Sequence, residues 1–243
     1  MFLRDKAIPA LRHRSFYFDV TSIRQLLREE DIRIEHKTLT RYLHTLMEDS
    51  CIYNAGRGWY SSIEKKFQLG TESVKEIISV IDTKFPLLEY SCWSTQQINR
   101  FMHHLLAKYV RYVYTDKDAM PSLFNYLGDS GYDVYLNPTR REVDKSFSIE
   151  KDVVVIRPTI SKSPVRRDHN APIEKILVDL CVELESVPIM DRSEFQRMAQ
   201  NLVMSERIDM AKLLSYARRR KIESGDLFEE PQSIISTFAR KWR

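Results

Sequence analysis

The sequence has few of the residues and patterns that mark several classes of protein. Its 243 residues include only 6 Gly, 9 Pro and 3 Cys, which excludes collagen-like, low-complexity and disulfide-scaffold proteins. Its densest apolar run, residues 153–156, is far shorter than the roughly 18 residues that a membrane span needs. Charged residues at positions 4–6 interrupt any apolar N-terminal segment, which argues against a secretory signal. We therefore expect a globular cytoplasmic protein with no membrane partner.

Positive charge is concentrated in the first quarter of the chain. Residues 1–66 carry 12 Lys and Arg against 9 Asp and Glu. Residues 67–170 carry 14 against 13, and residues 171–243 carry 12 against 12. Because the whole chain has a formal charge of only +4, its local distribution is more informative about partners than the total.

The same quarter predicts two helices joined by a short turn. In residues 22–29, Ile23, Leu26 and Leu27 form one apolar stripe. Residues 35–49 form a second amphipathic helix, with Leu39 and Leu43 on its apolar side. The opposite side is polar and cationic, and this is where we expect DNA contacts. These candidate DNA-binding residues are Lys37, Thr38, Thr40, Arg41, His44 and Thr45.

A β-hairpin is predicted directly after the second helix. Its strands are residues 51–54 and 59–63, and residues 55–58 form a turn with Arg57 between two glycines. A hairpin after a recognition helix is typical of a winged helix, in which Arg57 would contact a backbone phosphate or the minor groove. The alternative is a winged-helix scaffold that contacts proteins. We expect a winged-helix DNA-binding domain over residues 1–66.

The remaining sequence predicts a mixed α/β domain. Residues 67–86 form a helical connector, and residues 87–243 form the domain itself. Strands are predicted at 87–93, 109–114, 133–136 and 153–158, with helices at 95–106, 118–127, 171–185, 193–203, 209–220 and 231–242. The predicted fold class is α+β, with an N-terminal winged helix-turn-helix followed by a mixed α/β domain that has a helical C-terminal third.

No catalytic motif is found in the sequence. It contains no GxxxxGK[ST], GxGxxG, GxSxG or HExxH pattern. Acidic residues at positions 116, 118, 150 and 152 are candidate ligands for a metal-dependent nuclease site, but such residues flank strands in most α/β domains. We therefore predict no enzymatic activity, no metal and no cofactor.

Two basic clusters, Arg166-Arg167 and residues 218–221, indicate a surface for an anionic partner. For the second cluster the alternative is a solvated helix end that complements the helix dipole. The two clusters comprise Arg166, Arg167, Arg218, Arg219, Arg220 and Lys221.

The order of these segments resembles the AbiEi-type antitoxins of abortive-infection, or type IV toxin–antitoxin, systems. The similarity begins with the winged-helix pattern and continues in Tyr90-Ser91-Cys92-Trp93-Ser94-Thr95, which leads into residues 99–104. Further similar segments are residues 116–120, 134–138, 155–158, 172–180 and 213–219. These segments are rich in packing residues and span nearly the whole chain.

The resemblance implies a role in phage defence without catalysis. A winged helix would bind inverted repeats in double-stranded DNA at the protein's own promoter and repress the operon. The second domain would counteract a nucleotidyltransferase-like toxin, for which the resemblance implies no stable complex. The two basic clusters would then be a possible antitoxin surface. Two other hypotheses stay open: a metal-dependent nuclease or nucleotide-handling enzyme targeted by a winged helix, and a plain transcription regulator.

Overall fold

Two four-stranded sheets organise this α+β chain. The computed structural model describes residues 3–146, 153–164, 166–187 and 189–236. The chain forms two compact units, the first comprising Met1–Phe67 and Ala199–Arg243 and the second Gln68–Met198. Within the described residues, every helix is too short or too polar to cross a membrane.

The N-terminal part of the first unit follows the predicted order of helices and hairpin. A π-helical turn, Leu3–Ala7, precedes the first α-helix, whose first turn accommodates Pro9 because the amide that proline lacks has no intrahelical partner there. Asp19 caps the second helix by accepting a 2.7 Å hydrogen bond from the Ser22 amide. The elements are α1 (Ile8–Arg14), β1 (Tyr17–Asp19), α2 (Val20–Glu29), α3 (His36–Glu48), β2 (Tyr53–Asn54) and β3 (Trp59–Ser61).

The second unit alternates helices and strands. Its elements are α4 (Glu72–Lys84), β4 (Tyr90–Ser94), β5 (Val110–Thr115), α5 (Met120–Asp129), β6 (Asp133–Leu136), α6 (Arg140–Ser146), β7 (Val153–Pro158) and α7 (Ile173–Glu183). The sheet order is β4-β5-β7-β6, in which β4 is antiparallel to β5 and the other neighbours are parallel. Apolar residues of α4 and α5, such as Ile77 and Leu123, pack with one face of this sheet, to which Val113 of β5 belongs.

Helices of 4 to 14 residues and one short strand follow in the described part of the chain. They are α8 (Arg192–Ser205), α9 (Met210–Arg219), α10 (Ser224–Leu227), α11 (Pro231–Ile234) and β8 (Ile235–Ser236). The boundary between the two units falls inside α8. Residues 199–243 thus group with the N-terminal residues, whereas the sequence places all of 87–243 in one domain.

The first sheet joins distant parts of the chain in the order β2-β3-β1-β8. Strand β3 is antiparallel to both β2 and β1, with Tyr60 opposite Phe18. Strand β8 adds to β1 in parallel, with Ile235 opposite Tyr17. The sequence predicts a helix over residues 231–242, which is wrong at β8, and residues 237–242 lie outside the described part of the chain.

The predicted helix over residues 95–106 is also wrong beyond its first turns. A 3₁₀-helix covers Thr95–Phe101, and the chain then leaves helical geometry. The Asn99 side chain accepts a 2.8 Å hydrogen bond from the Leu106 amide. Side chains of this type compete with the helix for backbone partners, which favours the observed turn. Among the other elements, β1, α6 and α10 were not predicted.

Two sets of hydrogen bonds, of which the first is buried, hold the C-terminal segment in the first unit. The hydroxyl of the fully buried Tyr17 donates to the Val203 carbonyl at 3.0 Å and accepts from the Ile208 amide at 3.1 Å. The Arg207 guanidinium donates to the Ile63 and Glu64 carbonyls, each at 2.6 Å. The segment that follows the hairpin is therefore bonded to residues nearly 150 positions later.

Candidate nucleic-acid interface

The outer side of α3 carries the candidate DNA-binding residues. Leu39, Leu43 and Leu46 are buried, which confirms the predicted phase of this helix. The candidate residues lie on the other side: Thr38 is half-buried, and the exposed ones are Lys37, Thr40, Arg41, His44 and Thr45. The structure therefore brings the six predicted α3 residues to one accessible face.

Two of the three threonine hydroxyls on this face already have backbone partners. Thr40 Oγ1 donates to the His36 carbonyl at 2.9 Å, and Thr45 Oγ1 donates to the Arg41 carbonyl at 3.3 Å. Each hydroxyl oxygen keeps acceptor capacity, so it can still receive a hydrogen bond from a base.

Positive charge on α3 is only partly balanced by neighbours. His44 Nδ1 lies 3.3 Å from Glu48 Oε1, a contact that is ionic when His44 is protonated. Among the described residues, Lys37 and Arg41 have no ion-pair partner, and the Arg41 guanidinium lies 6.0 Å from the centre of the Tyr42 ring. Two cations, four residues apart on one helical face, can therefore meet phosphates or base edges.

The end of α3 is anchored to the preceding helical segments. Arg4 pairs with Asp49 at 3.2 Å, and the Arg12 guanidinium donates to the Cys51 carbonyl. The Asp49 carboxylate beside α3 is thus partly neutralised within the protein. This lowers the repulsion that the acidic end of α3 would present to a nucleic acid.

The turn between β2 and β3 presents Arg57 to solvent, as expected, but the turn itself is packed. Gly56 has a φ of +106°, and a Cβ there would overlap with Asp209 Oδ1. The Met210 amide donates to the Ala55 carbonyl at 2.8 Å. The hairpin is therefore short and supported by the start of α9, which sequence patterns did not reveal because the contact is non-local.

The two basic clusters of the possible antitoxin surface fall in different units. In the second unit, the exposed Arg166 forms a bidentate ion pair with Asp168, with distances of 3.0 and 2.7 Å. Arg167 is exposed beside it. In the first unit, the end of α9 carries the other cluster, in which Arg220 is half-buried and the exposed residues are Arg218, Arg219 and Lys221.

The acidic residues considered for a nuclease site are only partly described. Asp116 and Asp118 are exposed after β5, whereas Glu150 and Asp152 lie outside the described residues. Within residues 3–146, 153–164, 166–187 and 189–236, no group of three or more His, Cys, Asp or Glu side chains could hold a metal ion.

A buried polar cluster in the second unit was missed by sequence reasoning. Arg157 binds Glu183 through two nitrogens, at 2.9 and 2.7 Å, and Tyr114 donates to the same carboxylate at 2.9 Å. Burial raises the pKa of Glu183, and Arg157 opposes that rise. Next to it, the fully buried Lys175 and Asp179 pair at 2.6 Å. Charged residues spaced along the apolar pattern of α7 are the signal that could have indicated this cluster.

Comparison with known proteins gives one family match. A model described as "Family of unknown function (DUF6577)" matches residues 38–227, which include most of α3, the hairpin and the whole second unit. A search of curated proteins finds no match.

Proposed function

This chain belongs to the DUF6577 family of unknown function, and we propose that residues 3–62 form a winged helix that binds double-stranded DNA. The observation that carries the proposal is the pairing of β3 with both β2 and β1, beside two consecutive helices. In such an arrangement the second helix enters the major groove, and its outward side chains contact base edges. Here that helix is α3, with Lys37 and Arg41 exposed.

The charge of the two units supports the same proposal. Met1–Phe67 and Ala199–Arg243 together contain 21 Lys and Arg against 15 Asp and Glu, a net charge of +6. Gln68–Met198 contains 17 against 19, a net charge of −2. The positive excess of the chain thus belongs to the unit with the candidate DNA-binding face, as expected for binding to a polyanion.

The biological role that fits these features is that of an autorepressing antitoxin. The first unit would bind inverted repeats at the protein's own promoter. The second unit would counteract a nucleotidyltransferase-like toxin, a role that rests on the resemblance to AbiEi-type antitoxins. Finding a toxic reading frame beside this one, with a growth defect that co-expression of this chain relieves, would support this role. A plain transcription regulator has no toxic neighbour, and a nuclease degrades DNA when metal is added.

The DNA-binding proposal is tested with duplexes selected from a random 25-base-pair library. Arg41→Gln is expected to weaken binding by about 1–3 kcal/mol and to relax preference at one position, because Arg can bind a guanine edge through two hydrogen bonds and Gln cannot. Lys37→Gln is expected to weaken binding similarly for all sequences. Arg141→Gln, an exposed site on α6 in the second unit, is the control. Equal binding by all three variants and the unmodified chain would show that α3 is not the recognition helix.

A further inference from the structure

Helix α9 has a strongly basic exposed side. Residues 210–222 contain five Lys and Arg and no Asp or Glu. Its apolar side is buried, including Leu213, Tyr216 and Ala217. The exposed positions on the rest of the helix are Lys212, Ser215, Arg218 and Arg219. Lys212, Ser215 and Arg219 follow a spacing of three and four residues, which places them along one stripe.

This basic stripe begins at the hairpin turn. The Met210 amide donates to the Ala55 carbonyl, and Gly56 is in close contact with Asp209 at the start of α9. Arg57, the next residue of the turn, is exposed. The hairpin turn that carries Arg57, the wing residue expected to reach DNA, is thus joined to the first turn of α9 by a backbone hydrogen bond within one compact unit.

The length of α9 suits contact with several phosphates. Ten helical residues extend about 15 Å, and phosphates recur every 3.4 Å of axis along each DNA strand. Lys212 lies 3.5 Å from Asp209 Oδ2, and both side chains are substantially exposed. A surface pair of this kind is weak, so a phosphate can take the place of the carboxylate.

We infer that the side of α9 formed by Lys212, Arg218 and Arg219 is a second DNA-backbone contact, beside the hairpin turn. The inference rests on the proposed DNA-binding function and extends it. It assigns the cluster at the end of α9 to DNA phosphates, in contrast to the toxin-facing role that the sequence suggested. The position of α9 in the positively charged unit, next to Arg57, favours DNA.

The test compares two triple variants that remove the same charge from the full chain. Lys212→Gln/Arg218→Gln/Arg219→Gln changes α9, and Gln preserves helix propensity. Lys84→Gln/Lys117→Gln/Arg141→Gln changes exposed sites of the second unit that have no assigned binding role. Binding to a selected duplex is measured from 50 to 300 mM KCl by fluorescence anisotropy, after thermal unfolding has verified that both variants are folded.

The α9 variant is expected to bind more weakly and to flatten the slope of log affinity against log salt. The slope is expected to flatten by about 0.9 for each phosphate that the variant no longer neutralises. The second-unit variant is expected to keep the slope of the unmodified chain. Unchanged affinity and slope in the α9 variant, or equal losses in both variants, would overturn the inference. The inference would also be overturned if the α9 variant bound DNA normally but no longer relieved the growth defect caused by the toxin. That result would assign the cluster to the toxin.

A second measurement uses the unmodified chain. DNA binding is expected to protect Lys212 from acetylation, measured by mass spectrometry, while the exposed Lys75 of the second unit stays reactive. Equal acetylation of Lys212 with and without DNA contradicts the inference. A chain that binds no selected duplex at all overturns the proposed function itself, whereas binding without any effect of α9 overturns only this inference.

Discussion

The hydroxyl of Tyr17 offers a direct test of how the C-terminal segment is held in the first unit. Tyr17→Phe removes one oxygen and leaves the aromatic ring in place. The buried Ile208 amide then has no acceptor, and the Val203 carbonyl no longer receives this hydrogen bond. An unsatisfied buried group costs about 1–3 kcal/mol, which lowers the melting temperature by roughly 2–12 °C for a chain of this length.

Two measurements check this prediction. Thermal unfolding gives the loss of stability, and hydrogen exchange followed by mass spectrometry locates it, since faster exchange is expected around residues 203–208. The control is Tyr42→Phe, because Tyr42 lies 43% exposed on α3 and a surface change there should stay within about 0.5 kcal/mol. If Tyr17→Phe melts and exchanges like Tyr42→Phe, the hydroxyl does not join β1 to the C-terminal segment.

Two further predictions concern the hairpin turn and the cysteines. Gly56→Ala is expected to destabilise the protein more than Gly58→Ala. Both glycines have positive φ, but a Cβ at Gly56 would collide with Asp209, whereas no atom outside the adjoining residues lies within 4 Å of a Cβ built at Gly58. Equal melting temperatures of the two variants would contradict the close packing of the turn. Burial raises the pKa of the Cys92 thiol to about 12 from an ordinary 9.0, so at pH 8 a thiol reagent should modify the half-buried Cys51 and spare Cys92 until the protein unfolds. Because the folded pKa is the higher one, the contribution of Cys92 to stability is complete below about pH 9 and is lost as the pH rises towards 12; modification of native Cys92 at the rate of Cys51 would refute its burial.

Local sequence patterns were sufficient for the elements that carry the candidate DNA-binding face. The spacing of Leu39, Leu43 and Leu46 gave the phase of α3, and with it the exposure of Lys37 and Arg41. A helix with one apolar side has only one orientation that buries that side, so sequence alone predicts which residues remain outside. Glycines at positions 56 and 58 likewise indicated the turn, because both adopt positive φ.

The tertiary structure decided which parts of the chain belong together. Strand β8 pairs with β1 across more than 200 residues, and neither short strand has a periodic signal of its own. An apolar helix face shows that a helix is buried but does not identify its partner, so α9 could not be placed beside the hairpin turn from its sequence. The buried pairs Arg157–Glu183 and Lys175–Asp179 also depend on the fold, because burial of such charges requires partners contributed by the surrounding structure. Local spacing therefore determines the helix that exposes the candidate residues, whereas the unit that supports this helix forms only through non-local pairing.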